Sequence, residues 1–531
     1  MTCLNWFFQN KAIAFLFVFI GMLSACGGSD STSNSGDAGN TTNPSLNNWV
    51  LNQFFSAQYF KNKCTNPRRN VINPLTGNHY QDNQGNELDE KNWLRSWNND
   101  VYLWYNEVAD QDPSLFAGPI EYFKVLKTLA TTPTGKAKDQ FHFTASTEEY
   151  LQQAQSGVVS GYGATFTLTK DTIPRELLVS YTQPNSPATS TSVRFERGTK
   201  ILEVDGVDLV NTTRQADWDI TFAGIFPASL GETHTFKIQD IGSSQTRTVT
   251  MTSAEITLQS VQKGRIFDTD SGKVGYMVFN EHIATAEPEL INAMSQFEDA
   301  NIADLIIDLR YNGGGALFIM AELASMIAGP DATRNHSIGS FQYNDKHPTI
   351  DPFNGSVIQP FPFFTHTPDF SETPNVLLPN LDLSRVFVIT GSETCSASEA
   401  LMNGLRGVDL EVIQIGSTTC GKPYGFVGTD NCSTTYFSVN FKIINTKGFG
   451  DYPDGFSPVN TSQAAGVRLP GCSVADDHTR QLGDPLERRL SAALAYRVGG
   501  CPTASGRPTS NATASDGVTI KPFWLKNMIV N

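Results

Sequence analysis

The chain has 531 residues, 39% apolar and 17% charged, so it can bury sizeable cores and is longer than one ordinary domain. Its 38 basic and 53 acidic side chains give a formal net charge of −15, which excludes the basic footprint of a nucleic-acid binder.

The N-terminus is the first strong signal. Lys11 precedes the apolar run Ala12–Leu23, too short for a comfortable membrane span but suited to the core of a signal peptide. It leads into Leu23-Ser24-Ala25-Cys26, which resembles the bacterial lipobox, where the cysteine becomes the lipidated first residue. Gly27, Gly28 and Ser29 follow, with no Asp directly after the cysteine. The resemblance therefore implies a bacterial envelope protein held by acyl chains on Cys26, in the outer membrane and facing the periplasm. Each buried CH₂ contributes about 0.8 kcal/mol, so several chains anchor stably. Residues 1–25 are expected to be the signal peptide. Residues 26–48, rich in Ser, Asn, Gly and Thr, are expected to be a tether that cannot bury a core.

Residues 49–155 carry a helical pattern, with Trp93, Trp97, Val101 and Trp104 close to one face as core residues. Residues 156–258 change to short alternating runs, such as Ala164–Leu168 and Thr246–Met251, the pattern of a β-rich module. From 259 to 500 strands alternate with helices, which implies a layered α/β core. The predicted strands there are Val274–Phe279, Leu305–Leu309, Val386–Thr390 and Val412–Ile415. The predicted helices include one carrying Leu290, Met294 and Phe297, then Ala316–Ile327 and Ala397–Leu405. A Pro- and Phe-rich insertion, 329–384, interrupts the rhythm, and residues 501–531 form a tail with a polar stretch at 503–517.

Once Cys3 leaves with the signal and Cys26 carries lipid, six cysteines remain, an even number in an oxidising compartment. Cys420 and Cys432 flank a Gly/Pro-rich loop and are expected to pair, with Cys395 as a competing partner. Cys472–Cys501 is the second expected bridge. No Cys-x-x-Cys or His-x-x-x-His cluster occurs, so no metal is expected.

Three segments can carry chemistry. Gly313-Gly314-Gly315 lies between the strand ending Asp308-Leu309-Arg310-Tyr311-Asn312 and a helix, where free N–H groups and the helix dipole favour an anion. Thr394-Cys395-Ser396-Ala397-Ser398-Glu399 opens a helix. Ser396-x-x-Glu399 reads as a capping box, and equally as a hydroxyl exposed at a positive helix end with the Ala397 N–H beside it. Gly416–Pro423 nearly matches a phosphate-binding loop, but Pro423 lacks the hydroxyl that Mg²⁺ requires. Lys422 is then either a solvated lysine or a buried one kept neutral, able to take a proton from serine.

Together these segments resemble the C-terminal processing peptidases (tail-specific proteases). Asp308–Gly315 resembles their D-L-R-x-N-x-G-G signature, Ser396-Ala397-Ser398-Glu399 their S-A-S-E nucleophile motif, and Gly421-Lys422 their G-K base motif, 26 residues after the serine. The similarity covers roughly residues 157–460. It implies a multidomain α/β protein with a ClpP/crotonase-like peptidase core. Ser396 would be the nucleophile and Lys422 the base, with Gly314, Gly315 and Ala397 forming the oxyanion hole and no cofactor needed. Glu399 either orients Lys422 or only caps its helix. Some family members carry a Gln four residues after the lysine, where this chain has Phe426.

The β-rich module resembles a PDZ domain. Gly161-Tyr162-Gly163-Ala164-Thr165 is similar to the carboxylate-binding loop, and Arg197–Gly206 to a later strand. This implies protein or peptide substrates bound by their C-termini. The rival expectation from another class is a lipoprotein that binds peptides through an inactive peptidase fold; retention of both Ser396 and Lys422 weighs against it.

Overall fold

Asn86 caps the first long helix, α1 (Glu87–Val101), its side chain accepting the Leu88 and Asp89 N–H groups. The structure is a computed structural model and describes residues 49–369, 371, 373–462, 466–502 and 516–520. The signal peptide, Cys26, the tether and most of the C-terminal tail lie outside the described residues. Trp93 and Trp97 stack on one face of α1 with ring centroids 5.0 Å apart, and they pack with Phe123 and Tyr436.

The first hundred described residues are not helical alone. β1 (Phe143–Ser146) pairs antiparallel with Thr434–Phe437, and Cys64 is bonded to Cys432 across 368 residues. Arg68 bridges Asp82 and Asp430. The described residues from Trp49 onward form one compact unit, so the helical segment is built into the rest of it.

The β-rich segment contributes β2 (Ala164–Lys170), β3 (Glu176–Thr182), β4 (Lys200–Val204), helix α2 (Gln215–Ile225), β5 (Thr233–Gln239) and β6 (Thr246–Thr252). The strands lie in the order β6-β5-β4-β3-β2, and buried Phe166, Val179, Ile201 and Phe236 fill the core beneath them.

The second sheet explains itself from its sequence. Its elements are β7 (Val261–Phe267), β8 (Val274–Phe279), α3 (Ala286–Asp299), β9 (Asp304–Asp308), α4 (Leu317–Thr333), β10 (Arg385–Thr390), α5 (Ala397–Gly407), β11 (Glu411–Gly416), β12 (Gly471–Ser473) and α6 (Arg488–Gly499). The strand order is β7-β8-β9-β10-β11-β12, antiparallel only at β7. Both faces are apolar because both are covered. Met277, Leu305, Ile307, Val386 and Val388 face α3, α4 and α5, while Tyr276, Ile306, Phe387, Ile389 and Ile413 face α6. This is the layered α/β core that the alternation predicts, and the predicted strands and helices lie within a residue or two of those observed, apart from the longer C-terminal end of α4.

The last strand among the described residues, β13 (Val518–Ile520), pairs antiparallel with β2. Arg197 ties the two sheets. It is buried and donates to the Tyr311 hydroxyl at 2.5 Å and to Asp476 at 2.6 Å. Asp476 also takes Arg310, which pairs with Asp308 and Glu487. The Asp-Leu-Arg signature is thus a fully paired, buried ion network.

Candidate active site

Parallel strands direct their following loops to one end of the sheet, which is where α/β proteins form clefts. Neighbours β9, β10 and β11 each deliver one segment there: Asn312–Gly315, Thr394–Ser396 and Ser417–Lys422. Residues far apart in sequence are adjacent because the strands are.

Ser396 starts α5 with φ 55° and ψ −114°, a conformation that costs a non-glycine residue about 1–3 kcal/mol and is held by its surroundings. The turn brings Gly314 against it: a Cβ on Gly314 would lie 2.8 Å from both the Ala397 nitrogen and the Cys395 oxygen. Only glycine fits that approach. Ser398, by contrast, is buried in the helix and donates its hydroxyl to the Asn312 carbonyl at 3.2 Å.

Lys422 is 1% exposed, and its Nζ finds no hydrogen-bond partner among the described residues. The amine lies 4.0 Å from the Phe426 ring centroid and 5.1 Å from that of Phe141. Burial pushes its pKa down to about 7, partly offset by the charges of Asp139 and Glu399. Gly421 precedes it at φ 88°, where a Cβ would lie 2.3 Å from the Pro453 oxygen.

Glu399 joins the two segments. One carboxylate oxygen accepts the Ser396 N–H at 3.1 Å and the Lys422 N–H at 2.8 Å. The other accepts the Gly421 N–H at 2.9 Å and the Thr419 hydroxyl at 2.5 Å. Burial raises its pKa, and these hydrogen bonds oppose the rise. Glu399 therefore does more than cap α5. It holds the lysine loop through the backbone and makes no hydrogen bond to the lysine amine.

The disulfides correct one expectation. Cys420 is bonded to Cys395, not to Cys432, and Cys432 is bonded to Cys64. The Cys420 N–H donates to the Thr394 carbonyl, which holds Cys420 beside Cys395 in the turn before α5 and away from Cys432. The pair Cys472–Cys501 is bonded.

The glycine segment also departs from expectation. The Gly314 N–H donates to Asn312 Oδ1 at 2.9 Å, so Gly314 supplies close packing and not an available donor. Asn312 in turn bonds buried His282 Nδ1 at 2.9 Å and donates to the Phe279 carbonyl. Burial drives the His282 pKa down to about 4, so its ring is neutral. The sequence offered no spacing that would single out His282, Phe141 or Thr419.

Residues 273–429, which include His282, Asn312, Gly314, Ser396, Glu399 and Lys422, match the model of peptidase family S41. Over 181 residues the chain is 27% identical to the carboxyl-terminal-processing protease of a Picosynechococcus species, covering 34% of this chain and 41% of that one. The chain thus spans about two fifths of that relative's length. A crystal structure assigned to the S41 proteases, from Bacteroides fragilis, aligns over 79% of this chain and 98% of its own with TM-score 0.55 and 22% identity, a likeness of fold. The photosystem II D1 C-terminal processing protease aligns over 75% of this chain and 97% of its own with TM-score 0.40 and 16% identity.

Proposed function

We propose that this chain, which carries a peptidase family S41 domain, is a serine peptidase that cleaves envelope proteins with Ser396 as nucleophile and neutral Lys422 as base. The carrying observation is the single carboxylate of Glu399, which accepts the backbone N–H groups of both residues and so fixes their loops side by side. Lys422 takes the Ser396 proton as Oγ attacks the substrate carbonyl carbon. The oxyanion receives the N–H groups of Gly315 and Ala397. The lysine ammonium then gives its proton to the departing amine, leaving an acyl-serine. Water adds to that ester, Lys422 accepting its proton, and the new carboxyl end is released as Ser396 Oγ recovers the proton. A buried amine with a pKa near 7 is half neutral at neutral pH, so the base is available without a histidine.

The β-rich module is read as the PDZ-like receiver of substrate C-termini. Support comes from a cleft lined by the Gly161–Thr165 loop together with apolar Ile225, Phe226, Pro227 and Ile256. The lipobox is read as an anchor on Cys26 that keeps the enzyme on the membrane facing the periplasm.

A serine-directed fluorophosphonate probe tests the reading. It should label Ser396 in the native protein and fail to label Ser396→Ala or Lys422→Ala. Absence of labelling in native protein that degrades no unfolded substrate would leave only a binding protein.

A further inference from the structure

The outer edge of β2 is the edge that follows the Gly161–Thr165 loop, and it is already filled. β13 lies on it antiparallel, with Val518 opposite Leu168, Thr519 opposite Thr167 and Ile520 opposite Phe166. The strand therefore runs toward the loop, the polarity that presents a chain end to it. Ile520 packs against the core of the β-rich module and borders the same cleft as Gly161–Thr165. Thr519 is 4% exposed and its hydroxyl stands 3.4 Å from that of Thr167. Without β13, β2 would be an open edge offering unpaired N–H and C=O groups to any extended peptide.

The segment is also anchored. The Asp516 carboxylate takes the buried guanidinium of Arg489 and the Ser417 hydroxyl. Ser417 lies in the loop that carries Lys422. The strap thus passes from an ion pair on the peptidase core to the β2 edge, with Gly517 between Asp516 and Val518.

We propose that Val518–Ile520 is a built-in ligand of the β2 edge, so that the protein's own C-terminal segment competes with substrate C-termini for this groove. Resting on the peptide-receiving reading above, this makes the free enzyme self-occluded. Substrate must displace the strand, while the Asp516–Arg489 pair keeps the displaced segment at hand.

The test compares the full chain with a chain ending at Gly517, which removes the strand and leaves Asp516 on Arg489. The probe is a fluorescent decapeptide with an apolar last residue, as free acid and as amide. The shortened protein should bind the acid about ten-fold more tightly than the full chain, and a synthetic peptide of residues 516–531 should compete. Adding the acid peptide to the full chain should speed hydrogen exchange at Val518–Ile520. Equal affinity in the two proteins, with those amides still protected, would overturn the inference while leaving the groove reading intact. No preference for acid over amide in either protein would overturn the groove reading, and the inference with it. Thr519→Asp in the full chain puts a charge at a buried position and should give the same gain; it serves if the shortened chain fails to fold.

Discussion

The Lys422 amine sits 4.0 Å from the ring centroid of Phe426, and no protein hydrogen bond reaches it among the described residues. An aromatic face attracts the ammonium weakly, while loss of water disfavours it strongly; the second effect wins, and the pKa falls to about 7.

The pH dependence follows from that balance. If the neutral amine is the base, as proposed, kcat/KM should rise as pH climbs through about 7. Phe426→Gln places an amide oxygen where the ring was, which stabilises the ammonium. The rising limb should move to higher pH and activity at pH 7 should drop. A pH–rate profile unchanged by this substitution would count against Lys422 as the titrating group.

Ser396→Ala and Lys422→Ala should each remove about as much activity as the double change, since groups acting as one unit are not additive. Lys422→Arg should be equally inactive because arginine keeps its proton. Ser398→Ala should be mild, because the Asn312 carbonyl it releases still accepts the Cys395 N–H at 3.1 Å. Lys422→Met should raise the melting temperature most at low pH. The gain should shrink between about pH 7 and 10, where the unfolded lysine loses its proton and the folded one already has. Peptide hydrolysis reads the activities, and thermal melts across pH read Lys422→Met.

Glu399→Ala strands three backbone N–H groups and one hydroxyl in a buried site. Each stranded group costs about 1–3 kcal/mol before relaxation. Activity should fall by about two orders of magnitude and the midpoint of denaturation should fall with it. Glu399→Gln keeps one acceptor oxygen but turns an NH₂ toward donors, so it should rescue stability only in part. Full activity in Glu399→Ala would remove its positioning role.

The Cys395–Cys420 bridge closes a loop over 25 residues of sequence, joining the residue before Ser396 to the loop that carries Lys422. Such a loop contributes about 3 kcal/mol in the chain-entropy model. The double change Cys395→Ala/Cys420→Ala should lower kcat more than KM and lower the melting temperature. Peptide mapping without reduction should recover Cys395 joined to Cys420; recovery of either as a free thiol would refute the bridge.

At the other end of the chain, Cys26→Ser should abolish incorporation of labelled palmitate and release the protein from membranes. Unchanged fractionation would remove the anchor.

The second sheet could be read from sequence because its signals are local. Short, largely apolar runs mark β8 to β11, and the Gly313–Gly315, Ser396 and Lys422 segments each follow one of them. A helix N-terminus at Ser396 and a glycine before Lys422 are likewise fixed within a few residues. What the tertiary structure decided involves partners brought together from elsewhere in the chain. Cys64 meets Cys432 across 368 residues, and nothing near either cysteine encodes that meeting. Glu399 looks like a cap from its spacing, yet its other donors arrive with the β11 loop, some twenty residues on. The Gly314 N–H is withdrawn from the oxyanion role by an Asn312 side chain whose orientation His282 and the Phe279 carbonyl set. β13 has only three residues and too little pattern to announce itself; it is a strand because β2 offers an edge. Local periodicity sets the elements, and the packing of strands in space sets the neighbours.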